Sequence, residues 1–278
     1  MPLDVRPSPI AGTWYPGDAA ALAASVDGYL SQARVEPLEG RLIGVVAPHA
    51  GHQYSGAVAG HAFRLLVGLA PEVVVVVSPF HAVHPAPLLT SAHQAYATPL
   101  GSVPVDHERL ERLGAHLRRA GHDLEGLRRD REHALEIELP FLQRALDRPF
   151  RLLPLMLRSH ERQTVEALGH ALAEVLEGAA AVLVASSDLS HFYPDPLARR
   201  FDSALLRRLE AFDPAGVLAA EEQGLGFACG RGAIAAVLWA ARDLGADHVR
   251  VLHHATSGDV TGDRSSVVGY AAAAITAG

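Results

Sequence analysis

Three apolar, strand-like runs in this 278-residue chain each end within a few residues of a histidine. Arg41–Ala47 leads into Pro48-His49-Ala50-Gly51-His52, the run 72–78 into Pro79-Phe80-His81, and the run 179–185 into Ser186-Ser187-Asp188-Leu189-Ser190-His191. Imidazole is the commonest side-chain metal ligand and titrates near neutrality. A meeting of His49, His81 and His191 with the Asp188 carboxyl group could therefore bind a metal or move protons. In an open α/β sheet the carboxyl ends of parallel strands share one edge, and ligand pockets form there. Strand-to-helix loops also favour Ser and Asp as N-caps, so Ser186, Ser187 and Ser190 are assigned that role, while His49 and His81 are assigned to function. Asp188 and His191, at i and i+3, are expected on one side of a helical first turn, as a base pair, a ligand pair or a cap beside a bystander.

The only cysteine, Cys229, lies in Gly224-Leu-Gly-Phe-Ala-Cys-Gly-Arg-Gly232, ahead of an Ala-rich helical run. The positive end of a helix dipole and the adjacent Arg231 both favour thiolate, which makes the residue reactive or metal-binding; a buried, inert thiol is the alternative. Glu132-His133-Ala134-Leu135-Glu136 puts His133 and Glu136 on one helical face, beside Leu135, Leu139 and Leu142. A metalloprotease helix would need a second His at position 137, which is Ile, so His133 is expected to orient substrate or support the ligands. Gly230-Arg-Gly-Ala-Ile-Ala235 fits a relaxed dinucleotide fingerprint but opens no βαβ unit, and no G-x-S-x-G elbow occurs.

Composition removes other classes of function. Basic residues number 24 against 31 acidic, for a net charge of −7, with no basic block to follow a phosphate backbone, so no nucleic-acid partner is expected. Every basic residue is Arg, and the absence of Lys excludes Schiff-base, pyridoxal-phosphate, Walker and protein-kinase lysine chemistry. The Arg-only, Ala-rich composition reads as a GC-rich, bacterial coding sequence. A single cysteine forbids an internal disulfide and fits a reducing compartment. Met1 to Ala11 holds Asp4, Arg6 and three prolines without an apolar signal core. No apolar run reaches the ~18 residues of a membrane span, so a cytoplasmic protein with no membrane partner is expected. Of the sixteen histidines, His107, His116, His122, His160, His170 and His248 lie among charges and read as surface residues.

The elements that must position these groups alternate short apolar runs with segments of helical period, the pattern of βαβ units. Strands are predicted at Arg41–Ala47, 72–78, Arg151–Leu157, 179–185, 248–253 and 266–275, with short strands inside 86–97. The valines Val73 to Val77 suit a strand covered on both faces. Helices are predicted at 55–69, 106–120, 132–146 despite Pro140, 161–176, 197–212, 213–223 and 230–243. No repeat or linker divides the chain. The expectation is one α/β domain over 1–278, with a mixed, mostly parallel central sheet flanked by helices.

Several short stretches carry a family resemblance in their order and spacing. They are Ala11-Gly-Thr-Trp-Tyr-Pro-Gly17, Ala47-Pro-His-Ala-Gly51 with Tyr54-Ser-Gly56, Pro79-Phe-His81, Glu132-His133 with Glu136 and Leu139-Pro-Phe141, Ser186-Ser-Asp-Leu-Ser-His191, Cys229-Gly-Arg231 and Ser265-Ser-Val-Val-Gly-Tyr270. Along nearly its whole length the chain resembles the Memo family, whose bacterial members are called AmmeMemoRadiSam system protein B. The resemblance implies a fold similar to class III extradiol dioxygenases, with a pocket at one end of the sheet. It implies metal ligands at His49, His81 and Cys229, with Asp188 and His191 close by. Two positions depart from the pattern: His52 stands where Tyr is usual and Ser78 where Gly is usual, and neither removes an implied ligand.

Two imidazoles and a thiolate leave coordination positions open, as in a catalytic rather than a closed structural site. Sulfur in place of a dioxygenase carboxylate shifts preference toward copper or zinc, with iron still feasible; Met156, in another predicted strand, supplies no axial ligand for electron-transfer copper. The expected function is a metal-dependent oxidoreductase, dioxygenase-like or oxidase-like, using iron or copper, with zinc as the alternative. Asp188, His191 and His133 would serve catalysis on a small molecule or a modified side chain. Two alternatives stand beside this expectation: a non-catalytic adaptor that binds a peptide in the same pocket, to which the resemblance gives weight, and a metal-assisted hydrolase in which Asp188 activates water. The resemblance also implies a pathway shared with an AMMECR1-like protein and a radical SAM protein.

Overall fold

Each of Val73 to Val77 is 0% exposed, so the strand they form has both faces covered and fixes the centre of the molecule. The structure is a computed structural model that describes residues 3–278; Met1 and Pro2, part of the N-terminal and single-domain expectations, lie outside the described residues. In chain order the strands are β1 (Val5–Arg6), β2 (Arg41–Ala47), β3 (Val73–Pro79), β4 (Leu88–Ser91), β5 (Ala95–Thr98), β6 (Gly101–Pro104), β7 (Glu125–Leu127), β8 (Arg151–Leu157), β9 (Ala181–Ser186), β10 (His191–Tyr193), β11 (His248–Thr256) and β12 (Val267–Ala277). The helices are α1 (Ala19–Gln32), α2 (His52–Arg64), α3 (His107–Arg119), α4 (Leu139–Ala145), α5 (Arg162–Leu176), α6 (Asp195–Glu210), α7 (Pro214–Ala219), α8 (Arg231–Asp243) and α9 (Ser257–Thr261).

The main sheet has the order β10-β12-β2-β9-β3-β8-β4-β7, with β11 paired to β12. The central strands β2, β9, β3 and β8 run parallel, while β12 is antiparallel to β2 and β4 is antiparallel to β8. A small sheet, β1-β5-β6, lies apart. Helix α8 packs on β2, β3 and β9 and carries α5 against it; α2 lies on β2 and β12 and carries α1. This is the single α/β domain with a mixed sheet and flanking helices that the alternation of elements predicts. Among the described residues no helix is long and apolar enough to cross a membrane.

The predicted strands β2, β3, β8 and β9 and the helices α3, α5 and α8 fall within two residues of their expected bounds. Two expectations fail next to the site. The predicted helix 132–146 is instead a turn, a 3₁₀ segment over Glu136–Glu138 and then α4, which starts at Leu139. At its start the Glu132 carboxylate accepts the main-chain N–H of both His133 and Ala134 at 2.9 Å. The stretch after β9 is no helical first turn either, since it runs from a loop into β10, which pairs with β12.

Strands β2 and β9 approach closely at Gly44, where an added Cβ would stand 2.7 Å from the Leu183 carbonyl oxygen and 2.9 Å from its Cβ. Gly44→Ala should therefore destabilise the fold by about 1–3 kcal/mol through overpacking. Urea unfolding with an unchanged m-value checks this, and an unaltered midpoint would show that the spacing of these two strands is not set by the missing side chain.

Candidate metal centre

The strands that were expected to meet are neighbours, in the order β2, β9, β3, so their carboxyl ends lie side by side. Beyond β2 and β9 the two segments stay joined: Ser187 N–H donates to the Ala47 carbonyl at 2.8 Å, and His49 N–H donates to the side-chain Oδ1 of Asp188 at 2.8 Å. His49 is 2% exposed, with Nδ1 2.9 Å from Ser186 Oγ and Nε2 3.1 Å from Cys229 Sγ. Ser186 therefore serves this ring rather than a helix cap.

His81 follows β3 and is held by Glu132. The carboxylate accepts His81 N–H at 2.6 Å through Oε2 and faces Nδ1 at 2.9 Å through Oε1. His133 stacks on His81, with ring centroids 4.7 Å apart and planes 16° apart, and Trp14 covers His133 at 4.1 Å. His49 meets both of the other rings edge-on, at 5.4 and 5.6 Å. One nitrogen from each of His49, His81 and His133 lies within 4.8 Å of the other two, close enough to hold a metal ion. The donor group thus contains His133, which sequence reasoning placed in a supporting role. The expected ligand Cys229 stands against His49 at the edge of the group.

Burial sets the charges here. It pushes His49 well below the usual histidine pKa, helped by His133, His81 and His191, and it brings His133 to about 4. Both rings are neutral at pH 7, with a lone pair to offer. Burial also opposes charge on His81, but the hydrogen bond and charge of Glu132 outweigh it and raise its pKa; the same pairing outweighs burial at Glu132 and lowers that carboxylate to about 2. A carboxylate that accepts from Nδ1 leaves Nε2 free for a ligand, which is the usual outer support of a metal-bound histidine. The donor set and this support fit a transition metal.

Cys229 N–H donates to the Asp188 carbonyl, and the next residue, Gly230, presses on β9 so closely that a Cβ there would lie 2.3 Å from the Ser186 carbonyl oxygen. Burial, followed by the Asp188 carboxylate, raises the thiol pKa. Arg231, expected to favour thiolate, has its guanidinium paired with Glu221 instead. Asp188 is itself raised to about 7, because burial outweighs the N–H groups of His49 and Ala50. His191 Nδ1 lies 2.7 Å from the Leu189 carbonyl, which leaves Nε2 for other contacts. Asp188 and His191 line the same cavity, of about 650 Å³, with Trp14, Tyr54, Phe192 and Tyr270.

Sequence reasoning missed Glu132 and Arg6 as working parts of the site. Arg6, 1% exposed, donates to Asp130 at 2.7 Å, to Glu136 at 2.5 Å and to the Glu132 carbonyl at 2.7 Å. Glu136 also accepts from Ser8 at 2.5 Å and Tyr15 at 2.7 Å, so it faces the N-terminal segment and not the pocket shared by His133. The one available signal was Arg6 itself, set between Val5 and Pro7 in a Pro-rich N-terminal stretch.

Fold and site together define an α/β protein with a histidine-rich pocket at the carboxyl ends of adjacent parallel strands. The sequence profile described as "Memo-like protein" matches residues 6–274, and the chain belongs to the Memo-like family. A MEMO1 family protein of Methanopyrus kandleri is 36% identical, over 96% of this chain and 97% of its own. One from Methanothermobacter thermautotrophicus is also 36% identical, over 96% and 99%, and one from Nitrosopumilus maritimus is 31% identical, over 96% and 98%. These relatives are archaeal and lend no support to a bacterial source read from composition. The crystal structure of an uncharacterized Escherichia coli K12 protein shares the fold, with a TM-score of 0.56 at 15% identity over 83% of this chain and 99% of that one.

Arg6→Met would leave two buried carboxylates without their cation, at a cost of about 3–5 kcal/mol. Chemical denaturation should show that loss; one below about 1 kcal/mol would mean that the loop bearing Glu132 and His133 is held by other contacts.

Proposed function

We propose that the protein is a metal-dependent oxidoreductase, acting on a small molecule or a modified side chain, whose ion is held by His49, His81 and His133 with Cys229 alongside. The observation that carries this reading is the grouping of three imidazole nitrogens within 4.8 Å at the floor of a cavity. When bound, iron or copper would supply a redox centre and an electron-pair acceptor, and zinc only the latter. Glu132 keeps the His81 Nδ1 proton in place and so aims Nε2 inward. The Asp188 carboxyl group, with a pKa near 7, can take up or release a proton close to neutral pH, and His191 can do so at Nε2. Trp14, Tyr54 and Phe192 flank the cavity and would shield a bound substrate from water. The likeness to extradiol dioxygenases and the pathway shared with AMMECR1-like and radical SAM proteins belong to this proposal, as does a cytoplasmic location.

One observation favours a second reading, that of a peptide-binding adaptor: Trp14, Tyr54 and Phe192 are 36%, 38% and 74% exposed along the cavity. Exposed aromatic residues beside a pocket are common anchors for partners. Peptide binding that survives His49→Ala/His81→Ala would support it.

Metal content decides the main reading. Wild-type protein purified without added metal should carry iron, copper or zinc near one ion per chain by elemental analysis, and His81→Ala should carry almost none. Equal, negligible metal in both would sink it. Glu132→Gln should weaken metal binding roughly 10–100-fold without removing a ligand, measured by competition with a chromophoric chelator.

A further inference from the structure

Ser186 Oγ lies within hydrogen-bonding distance of three groups at once: the Ala134 carbonyl oxygen at 2.7 Å, Glu138 Oε1 at 2.7 Å and His49 Nδ1 at 2.9 Å. All three side chains are buried, with Ser186 0%, Glu138 1% and His49 2% exposed. Groups this deeply buried are shielded from bulk solvent, and an unmade hydrogen bond here has a cost.

A hydroxyl group has one proton to give and two lone pairs to receive. The Ala134 carbonyl can only accept, so it takes the serine proton. The two remaining contacts are hydrogen bonds only if Glu138 and His49 each bring a proton of their own. An ionised Glu138 would claim the serine proton and leave the Ala134 oxygen facing a lone pair. A His49 ring protonated only at Nε2 would point a bare Nδ1 at an oxygen with no proton left to donate.

We infer that Glu138 is a neutral carboxylic acid that works through Ser186 to lock His49 as its Nδ1–H tautomer, with the Nε2 lone pair turned toward Cys229 and the pocket. The surroundings agree with this count. Arg6, the buried cation of this region, is taken by Asp130 and Glu136. Among the described residues Glu138 Oε2 has no partner, which a neutral carboxyl tolerates far better than a charged one. Burial, with the Asp188 carboxylate nearby, pushes the Glu138 carboxyl well above its usual range. The Cys229 sulfur stands 3.1 Å from Nε2, on the side of the ring away from Ser186. Glu138 is therefore a positioning residue that acts through the Ser186 hydroxyl.

The lock does not depend on the proposed metal chemistry, since it is a property of the folded, metal-free chain. The test begins with nitrogen-15 labelled histidine and two-bond proton–nitrogen NMR spectra of metal-free protein, with the His49 signals identified by their loss in His49→Ala. Wild type should show the proton on Nδ1. So should Glu138→Gln, whose side-chain amide can still donate to Ser186. Glu138→Leu should show a new population protonated on Nε2. Titration with cobalt(II) alone should parallel this, with Glu138→Gln close to wild type and Glu138→Leu weaker by roughly 10–100-fold, the usual effect of losing an outer-shell partner. If Glu138→Leu fails to fold, Ser186→Ala carries the same expectation in both measurements. A proton on Nε2 in wild type overturns the inference, and so does Glu138→Gln behaving like Glu138→Leu. A wild-type chain with Nδ1–H that binds no cobalt would keep the inference and sink the metal reading.

Discussion

A buried carboxyl group must find a cation, a set of donors or a proton, and residues 130–138 bring four of them into the interior. Asp130 and Glu136 share the guanidinium of Arg6, Glu132 holds His81, and Glu138 meets Ser186. Each solution ties this loop to a different part of the chain: the N-terminal segment, the end of β3 and the end of β9. The loop can therefore sit in only one place, and His133 is fixed by its neighbours rather than by a helix of its own. Such buried ion pairs contribute little net stability against apolar replacements. Here their consequence is register, because a shifted loop would strand several charges at once.

The same loop shows how partners alone decide the chemistry of one residue type. Glu132 accepts three main-chain N–H groups, from His81, His133 and Ala134, and faces two imidazoles, so its ionised form is favoured despite burial. Glu138 meets one hydroxyl and no cation, so burial prevails. Two glutamates close in sequence thus stand in opposite protonation states and support neighbouring rings, His81 and His49, in the same tautomer. In both cases the Nδ1 proton is held outside the pocket and the Nε2 side is left for it.

How much of this was legible in the sequence depended on the range of the interactions involved. The strands β2, β3 and β9 were, because a β-branched or apolar run that stops at polar residues is a local signal, and the strand-end rule then placed His49, His81, Asp188 and His191 together. Helix α1 was not read; its signal is the cap formed by Asp18 and the buried stripe Leu22, Val26 and Leu30 in an Ala-rich segment. The helix expected over His133 was misread because Leu135, Leu139 and Leu142 repeat with helical period. The contacts that override that period come from Arg6, which is more than a hundred residues away in sequence, and from the Glu132 side chain. The role of Ser186 was hidden for the same reason: its partners at 49, 134 and 138 are adjacent only in space.

The backbone around Phe192 points to the cavity as the reason for a local compromise. His191 pairs with Val268 and Tyr193 with Val267, so the register slips by one and Phe192 is the extra residue of a bulge. Its φ of 64° lies in the left-handed region, where a residue with a Cβ is strained by about 1–2 kcal/mol and glycine is not. The side chain recovers little of that by burial, since it is 74% exposed. Stability alone would favour glycine at this position. An aromatic ring held there at a cost, on the wall of the cavity and beside His191, makes sense when something other than the protein packs against it.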